Sequence, residues 1–369
     1  MSAQTRRFAG LALAVLWLCI STALAQDQRL EPALKIISEA VANGDVPGAG
    51  VLVVQDGKTL LAEALGSANL EIGRAYRSNT IAWIASLTKP VTTAAAMTLV
   101  DRGRLALDDP VEKYLPELAG MRTPGGKPAR VTIRQLMSHS SGIQSSVPLR
   151  PPFFFEQPWY RRTLSEVASA VAKTNLIYEP GAKVEYSNAA PYVLGRIVEL
   201  QARRPFGDYV RERILEVLGM RDTAFAIPTA KIDRAATVYR RQDGQLAVYC
   251  RFDPTWEVKM TMPDGGLFST PQDIAAFAHS FLAGKSPILS AEAVEAMLTR
   301  QSEGYGLGWI LDRPNQFSHW GSSGTLVWAD RSTKVVGVLF FQVQDRSRIE
   351  PIQNHFRDAV TAALAPDAR

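Results

Sequence analysis

Ser86 and Lys89 stand three residues apart in Ile81-Ala82-Trp83-Ile84-Ala85-Ser86-Leu87-Thr88-Lys89, where an apolar segment runs into a helical pattern. A serine hydroxyl is a poor nucleophile until a base takes its proton. A lysine amine can do so only where its surroundings hold it partly neutral, well below its ordinary pKa of about 10.4. If Ser86 opens the helix, Lys89 lies one turn on along the same face, and the helix N-terminus favours negative charge developing on the oxygen. Chance alone supplies on the order of one Ser-x-x-Lys in a chain of this length, and a capping serine beside a solvated lysine would account for it. Two further segments change the balance. Tyr186-Ser187-Asn188 offers a phenol that can relay a proton if nearby cations favour its phenolate. Its amide can hold a substrate carbonyl and orient Lys89. Ser318-His319-Trp320-Gly321-Ser322 opens a predicted strand, with a glycine that permits close backbone approach. Edge-strand amides there, together with the Ser86 amide, could bind an oxyanion.

The elements that must position these residues come from both ends of the chain. Leu30 to Val41 has helical apolar spacing closed by Gly44, and strands are predicted at Gly48 to Gln55 and Thr59 to Ala64. Asp56-Gly57 between the two strands suits the positive φ angles of a tight hairpin. Towards the other end, Tyr305 to Leu311, Thr325 to Ala329 and Val335 to Val343 read as strands, and Ile349 to Leu364 as an amphipathic helix. The middle reads as helical at Pro90 to Arg102, Thr132 to Ser138, Leu164 to Lys173, Ala190 to Gln201, Phe206 to Val217 and Pro271 to Leu282. The expected fold is therefore α/β: an antiparallel sheet flanked by N- and C-terminal helices, built from residues 26–89 and 263–369, plus a mostly helical domain over 90–262. The active site is expected between the two. Stretches around 120–130, 143–160 and 222–262 read as loops, long enough to be binding elements. Segment 148–160 carries Phe153, Phe154, Phe155, Trp159 and Tyr160, rings expected to pack onto the helical part, with a substrate-site wall or contact with a lipid surface as the alternatives.

Arg6 and Arg7 precede an apolar run from Phe8 to Ile20, and Ala23-Leu24-Ala25 follows. That pattern reads as a signal peptide over residues 1–25, cleaved near Ala25, and its apolar core is too short for a comfortable membrane span. The expectation is an exported protein, periplasmic or secreted, with no membrane span in the mature form. Loss of the two arginines lowers the formal charge from +5 to +3, too little on so long a chain to suggest a nucleic-acid partner. Cys19 falls in the leader, so Cys250 remains alone, without a disulfide partner and without a motif that would make it a nucleophile. The composition, 46% hydrophobic and 21% charged, is that of a chain able to bury a core without cross-links.

The three segments, in this order and spacing, resemble the serine β-lactamase and penicillin-binding-protein superfamily. The resemblance is to its class C-like branch, which includes family VIII carboxylesterases and DD-peptidases. It extends through Leu105-Ala106-Leu107-Asp108-Asp109-Pro110-Val111, Leu136-Met137-Ser138-His139-Ser140-Ser141-Gly142, Leu218-Gly219-Met220 and Gly265-Gly266-Leu267-Phe268-Ser269-Thr270, covering nearly all of the chain after residue 25. It implies Ser86 as nucleophile, Lys89 as its base partner, Tyr186 as proton shuttle and Asn188 as a supporting side chain, with the amides of Ser86 and Ser322 as oxyanion hole. The third motif departs from the Lys-Thr-Gly or Lys-Ser-Gly usual in β-lactamases: His319-Trp320-Gly321 stands there. Histidine in the first place is common among esterase-like and peptidase-like relatives, and Trp320-Gly321-Ser322 also resembles the Trp-Gly-Gly triplet of others. Tryptophan in the second place removes a hydroxyl that typically binds the antibiotic carboxylate. The resemblance therefore implies hydrolysis of esters or small amides first, D-amino-acid or DD-peptidase action on cell-wall peptides second, and β-lactam hydrolysis third. A catalytically silent relative that binds peptidoglycan or a protein is the rival from another class.

Other candidates carry less. His139 ends a helical pattern at a loop and reads as structural, while His279 and His355 fall within helical patterns, and no histidine pair has zinc-ligand spacing. Neither a metal nor a cofactor is expected. Gly304-Tyr305-Gly306-Leu307-Gly308 leads into a predicted strand, which argues against a phosphate loop, and the chain has no Gly-x-Ser-x-Gly.

Overall fold

The computed structural model describes residues 27–150, 161–252, 260–282 and 286–365. The predicted leader, most of the aromatic segment and part of the 222–262 stretch lie outside the described residues. A six-stranded antiparallel sheet holds the two ends of the chain together in the order β3-β2-β1-β10-β9-β8. Its strands are β1 (Gly48–Gln55), β2 (Lys58–Asn69), β3 (Arg74–Ala75), β8 (Gln316–Gly321), β9 (Thr325–Asp330) and β10 (Val335–Phe340). Asp56 and Gly57, at φ 48° and 78°, form the two-residue turn that Asp-Gly favours, and Gln55 pairs with Lys58 across it.

Period-two alternation sends Ala49, Val51 and Val53 of β1 to one face, where helices α1 (Glu31–Ala42) and α9 (Arg346–Ala363) cover them. Leu52 faces the opposite core. Gly337 of β10 lies opposite Trp328 of β9, and a Cβ there would overlap the indole. Glycine is thus what lets Trp328 lie flat across the strand and meet Phe356 edge-on, with ring centroids 5.7 Å apart.

The other face shares one hydrophobic core with helices α2 (Thr88–Val100), α3 (Ile133–Met137), α4 (Leu164–Ala172), α5 (Ala190–Ala202), α6 (Phe206–Val210), α7 (Pro271–His279) and α8 (Ala291–Leu298). Apart from Lys89, helix α2 is apolar or small on every side, and it is buried over all but its last residue, as expected of a helix at the centre of a core. Thr132 and Thr163 begin α3 and α4 with reciprocal capping boxes to Gln135 and Glu166.

Four expectations need correction. Residues 305–311 form turns with isolated bridges, not a strand, because Gly304 and Gly308 adopt φ of 71° and 74° and reverse the chain. The helix expected over Phe206 to Val217 stops at Val210 and continues as a π-helical turn, Arg211–Leu215. Residues 222–262 are not all loop: β5 (Val238–Gln242) and β6 (Gln245–Cys250) pair around Asp243-Gly244, and β5 pairs in parallel with β11 (Val343–Gln344). Finally, Ser318 to Gly321 end a strand instead of opening one.

Candidate active site

The chain reaches Ser86 from β4 (Ala82–Trp83), which pairs with β7 (Phe268–Ser269). Ala85 then takes a φ of 46°, a short 3-10 turn over Ala85–Leu87 follows, and α2 begins at Thr88. The approach is fixed from outside: Ser323 Oγ and Gln342 Nε2 donate to the Trp83 carbonyl at 2.6 and 2.9 Å, and Thr325 Oγ1 donates to the Ile84 carbonyl at 3.1 Å. Gly321, the last residue of edge strand β8, packs against that same Ile84 carbonyl so closely that no side chain would fit. This approach brings the Ser322 backbone beside the Ser86 turn, and both residues line one cavity of about 310 Å3.

Lys89, 3% exposed, has three hydrogen-bond partners. Its Nζ lies 3.0 Å from Ser86 Oγ, 2.9 Å from Asn188 Oδ1 and 2.8 Å from the Asp264 carbonyl oxygen. Burial brings its pKa down to about 7, with the Asp264 carboxylate opposing and the Arg150 guanidinium reinforcing the fall. A neutral amine has two N–H donors and one lone pair. Asn188 Oδ1 and the Asp264 carbonyl can only accept, so they take both donors and leave the lone pair for the Ser86 hydroxyl proton.

The Tyr186 ring stands 4.7 Å from Lys89 Nζ, against His139 at 4.4 Å and parallel to Trp320 at 6.1 Å. Burial pushes its hydroxyl well above the usual tyrosine range, and Ser86 is the strongest opposing influence. Tyr186 is therefore held as a phenol, so the condition for a phenolate, nearby cations that favour it, is not met in this site. His139, buried at φ 56°, accepts from the Ser187 amide through Nδ1 at 3.1 Å, which fixes the Tyr186-Ser187-Asn188 segment. Asn188 is braced from behind by Ser145 Oγ at 3.3 Å.

The described chain matches the Beta-lactamase family profile over residues 34–362. It belongs to the beta-lactamase family. Protein Rv1367c of Mycobacterium tuberculosis (strain ATCC 25618 / H37Rv) is 33% identical over 284 residues, which cover 71% of this chain and 70% of that protein. Esterase EstB of Burkholderia gladioli is 29% identical over 371 residues, 89% of this chain and 94% of the esterase. Among solved structures, EstCE1, described as a hydrolase with promiscuous acyltransferase activity, superposes with a TM-score of 0.79 at 22% identity, covering 90% of this chain and 99% of that one.

The site of this beta-lactamase family member thus gathers Ser86, Lys89, Tyr186, Asn188 and Ser322 from segments far apart in sequence. His319 is placed differently from its expected substrate-facing position. Alternation along β8 turns its ring into the interior, where it is fully buried and is not among the described residues lining the cavity; its neighbour Trp320 is. Its Nδ1 lies 2.8 Å from the Trp320 carbonyl, an acceptor, so Nδ1 carries the proton and the buried Nε2 carries a lone pair without a hydrogen-bond partner among the described residues. Burial and Lys89 bring its pKa down to about 3, which keeps it neutral. Arg346, from the start of α9, sits 3.5 Å over the Trp320 ring.

Sequence reasoning passed over Arg150, Asp264, Trp83, Tyr249 and Gln344, which complete the cavity wall. Only Asp264 carries a sequence signal, as an acidic residue directly before Gly265-Gly266. Cys250 is buried and its thiol is pushed well up by burial, as suits a structural residue. Among the described residues, no cluster of three or more side chains could hold a metal, and no helix is long and apolar enough to cross a membrane.

Proposed function

We propose that this protein is an exported serine hydrolase that forms an acyl-enzyme on Ser86 and acts on carboxylic esters or small amides. The observation that carries the reading is the Lys89 amine: near-neutral in pKa, with both donors occupied, its lone pair is directed at Ser86 Oγ 3.0 Å away. Ser86 attacks the substrate carbonyl carbon while its proton passes to Lys89. The oxyanion that forms is held by the Ser86 and Ser322 amides. Collapse breaks the bond to the leaving group, whose oxygen or nitrogen takes the Tyr186 proton, and the Lys89 ammonium restores it. Water then attacks the acyl-enzyme by the same steps in reverse order.

The indole at Trp320, which lines the cavity, favours uncharged acyl compounds, since it offers neither the permanent cation nor the hydroxyl that anchor an antibiotic carboxylate. The esterase relative points the same way. Export rests on the Arg6-Arg7, apolar run and Ala23-Leu24-Ala25 pattern. Purified protein lacking residues 1–25 should hydrolyse p-nitrophenyl butyrate, and an active-site phosphonate should label Ser86 in peptide maps. Labelling that persists in Ser86→Ala, or a protein inert to esters, to D-Ala-D-Ala peptides and to nitrocefin alike, defeats the proposal.

A further inference from the structure

Behind the Lys89 amine lies a charged pair that none of these steps uses. Asp264, 2% exposed, presents its backbone carbonyl to Lys89 Nζ at 2.8 Å and its carboxylate to Arg150 Nη2 at 2.7 Å. The same Arg150 nitrogen lies 2.7 Å from the Tyr192 hydroxyl of α5, so one guanidinium ties the loop after α3 to both the lysine's acceptor and a core helix. The Arg150 side chain is 16% exposed and the Asp264 side chain 3%, so water screens the pair little.

The other titratable groups around Lys89 come from every element packed on it. They are His139 from the loop after α3, Tyr186 before α5, Tyr192 on α5 and His319 on β8. Burial keeps both histidines unprotonated and both tyrosines protonated, so all four are neutral. Among the described residues, Asp264 and Arg150 remain as the charges that act on the amine, in opposite senses.

We infer that Arg150 is a positioning residue for the general base: by pairing with Asp264 it fixes the carbonyl that orients Lys89 and cancels the carboxylate that would otherwise hold Lys89 as an ammonium ion. This rests on the reading of Lys89 as base. Asp264 has two basic side chains beside it, and Arg150 takes the carboxylate while Lys89 receives only the carbonyl. Without Arg150, Lys89 becomes the counter-ion of a buried carboxylate and loses its lone pair to a proton. The supporting electrostatics agree in sign: the guanidinium lowers the Lys89 pKa and the carboxylate raises it.

The test is the pH dependence of kcat/KM for p-nitrophenyl butyrate, read from about pH 5 to about pH 9, in Arg150→Met, Arg150→Lys, Asp264→Asn and the Arg150→Met/Asp264→Asn double variant. Arg150→Met should move the acid limb up by about one pH unit, a roughly tenfold loss below the limb. Asp264→Asn should move it down, the double variant should sit at or below the wild-type position, and Arg150→Lys should return the limb towards it. A brace for the loop and nothing more would lower activity at all pH values without displacing the limb, and that result overturns the inference. So do displacements of the two single variants in the same direction. Circular dichroism melts show which variants are folded; should Arg150→Met not fold, the downward displacement in Asp264→Asn and the Arg150→Lys limb decide. Lys89→Met separates the two levels of the argument: if it retains activity and its acid limb, the base assignment itself has failed. If it is inactive while the Arg150 and Asp264 variants keep the wild-type limb, only the role of Arg150 has.

Discussion

Replacing Gly321 by alanine tests the geometry on which the proposed catalysis depends. A Cβ at this position would overlap the Ile84 carbonyl oxygen and the Thr325 hydroxyl, both well inside the 3.0 Å that real Cβ contacts respect. Neither obstacle is the far end of a flexible side chain. One is backbone two residues before Ser86, and the other is a buried hydroxyl already bonded to that carbonyl at 3.1 Å. Edge strand β8 must therefore retreat from the Ser86 turn and carry the Ser322 amide with it, by an amount on the order of the 1 Å misplacement that costs about 100-fold in rate. Loss of one oxyanion donor gives the same scale, about 100- to 1000-fold in kcat or about 3–4 kcal/mol, with KM changed far less because the ground-state ester needs that donor little. Strain at one end of an edge strand should cost the fold only about 1–3 kcal/mol. Steady-state kinetics on p-nitrophenyl butyrate, with urea unfolding of the same preparations, separate the two effects. A folded Gly321→Ala protein whose kcat lies within about threefold of wild type would refute the placement of the oxyanion hole at Ser322.

Three further outcomes follow from the same site. Because the pKa of Lys89 is lowered to about 7 and the base must be neutral, kcat/KM should rise with pH through a limb near that value and be lost as pH falls below it; a flat profile down to about pH 5 contradicts this. Asn188→Asp places a carboxylate 2.9 Å from the Lys89 amine, worth about 5–6 kcal/mol at an effective dielectric near 20 before desolvation is subtracted, so the limb should climb by about two pH units or more. An unmoved limb in that variant would sink the base assignment. Wild-type protein should turn over p-nitrophenyl butyrate far better than nitrocefin. Replacing Trp320, which lines the cavity, by Thr should shift preference towards carboxylate-bearing substrates by at most about 1.5–3 kcal/mol, both read as ratios of kcat/KM.

That Ser86, Lys89, Tyr186 and Asn188 meet in one cluster was legible in the sequence because each sits in a short segment whose residue order is itself the geometry, as with Lys89 one turn beyond Ser86. Arg150 and Asp264 were not legible, because their partnership spans 114 residues and exists only once α5 and the Gly265-Gly266 turn bring them together. Period-two reasoning failed at 305–311, where glycines at alternate positions imitate a strand while two of them reverse the chain. It failed in the opposite direction at Val238–Cys250. The Asp243-Gly244 turn there repeats the signal used at Asp56-Gly57, but Arg240, Arg241 and Gln242 hide the alternation. The burial of His319 beside an exposed-looking Trp320 depends on which face of β8 meets the helices, and the motif alone does not state that.

The pairing at the middle of the large sheet has a consequence for how the molecule comes into being. Gly50 pairs with Phe340, so the central seam joins segments separated by the whole helical region. Contacts of such sequence separation form late and slowly, because loop closure must precede any gain from them. Ser86 enters from the early side of that seam and the Ser322 amide from the late side. The candidate site therefore cannot assemble on a nascent chain: until β8 to β10 have emerged and docked, the Ser322 backbone does not stand beside Ser86, and the pairing on which the proposed chemistry rests does not exist.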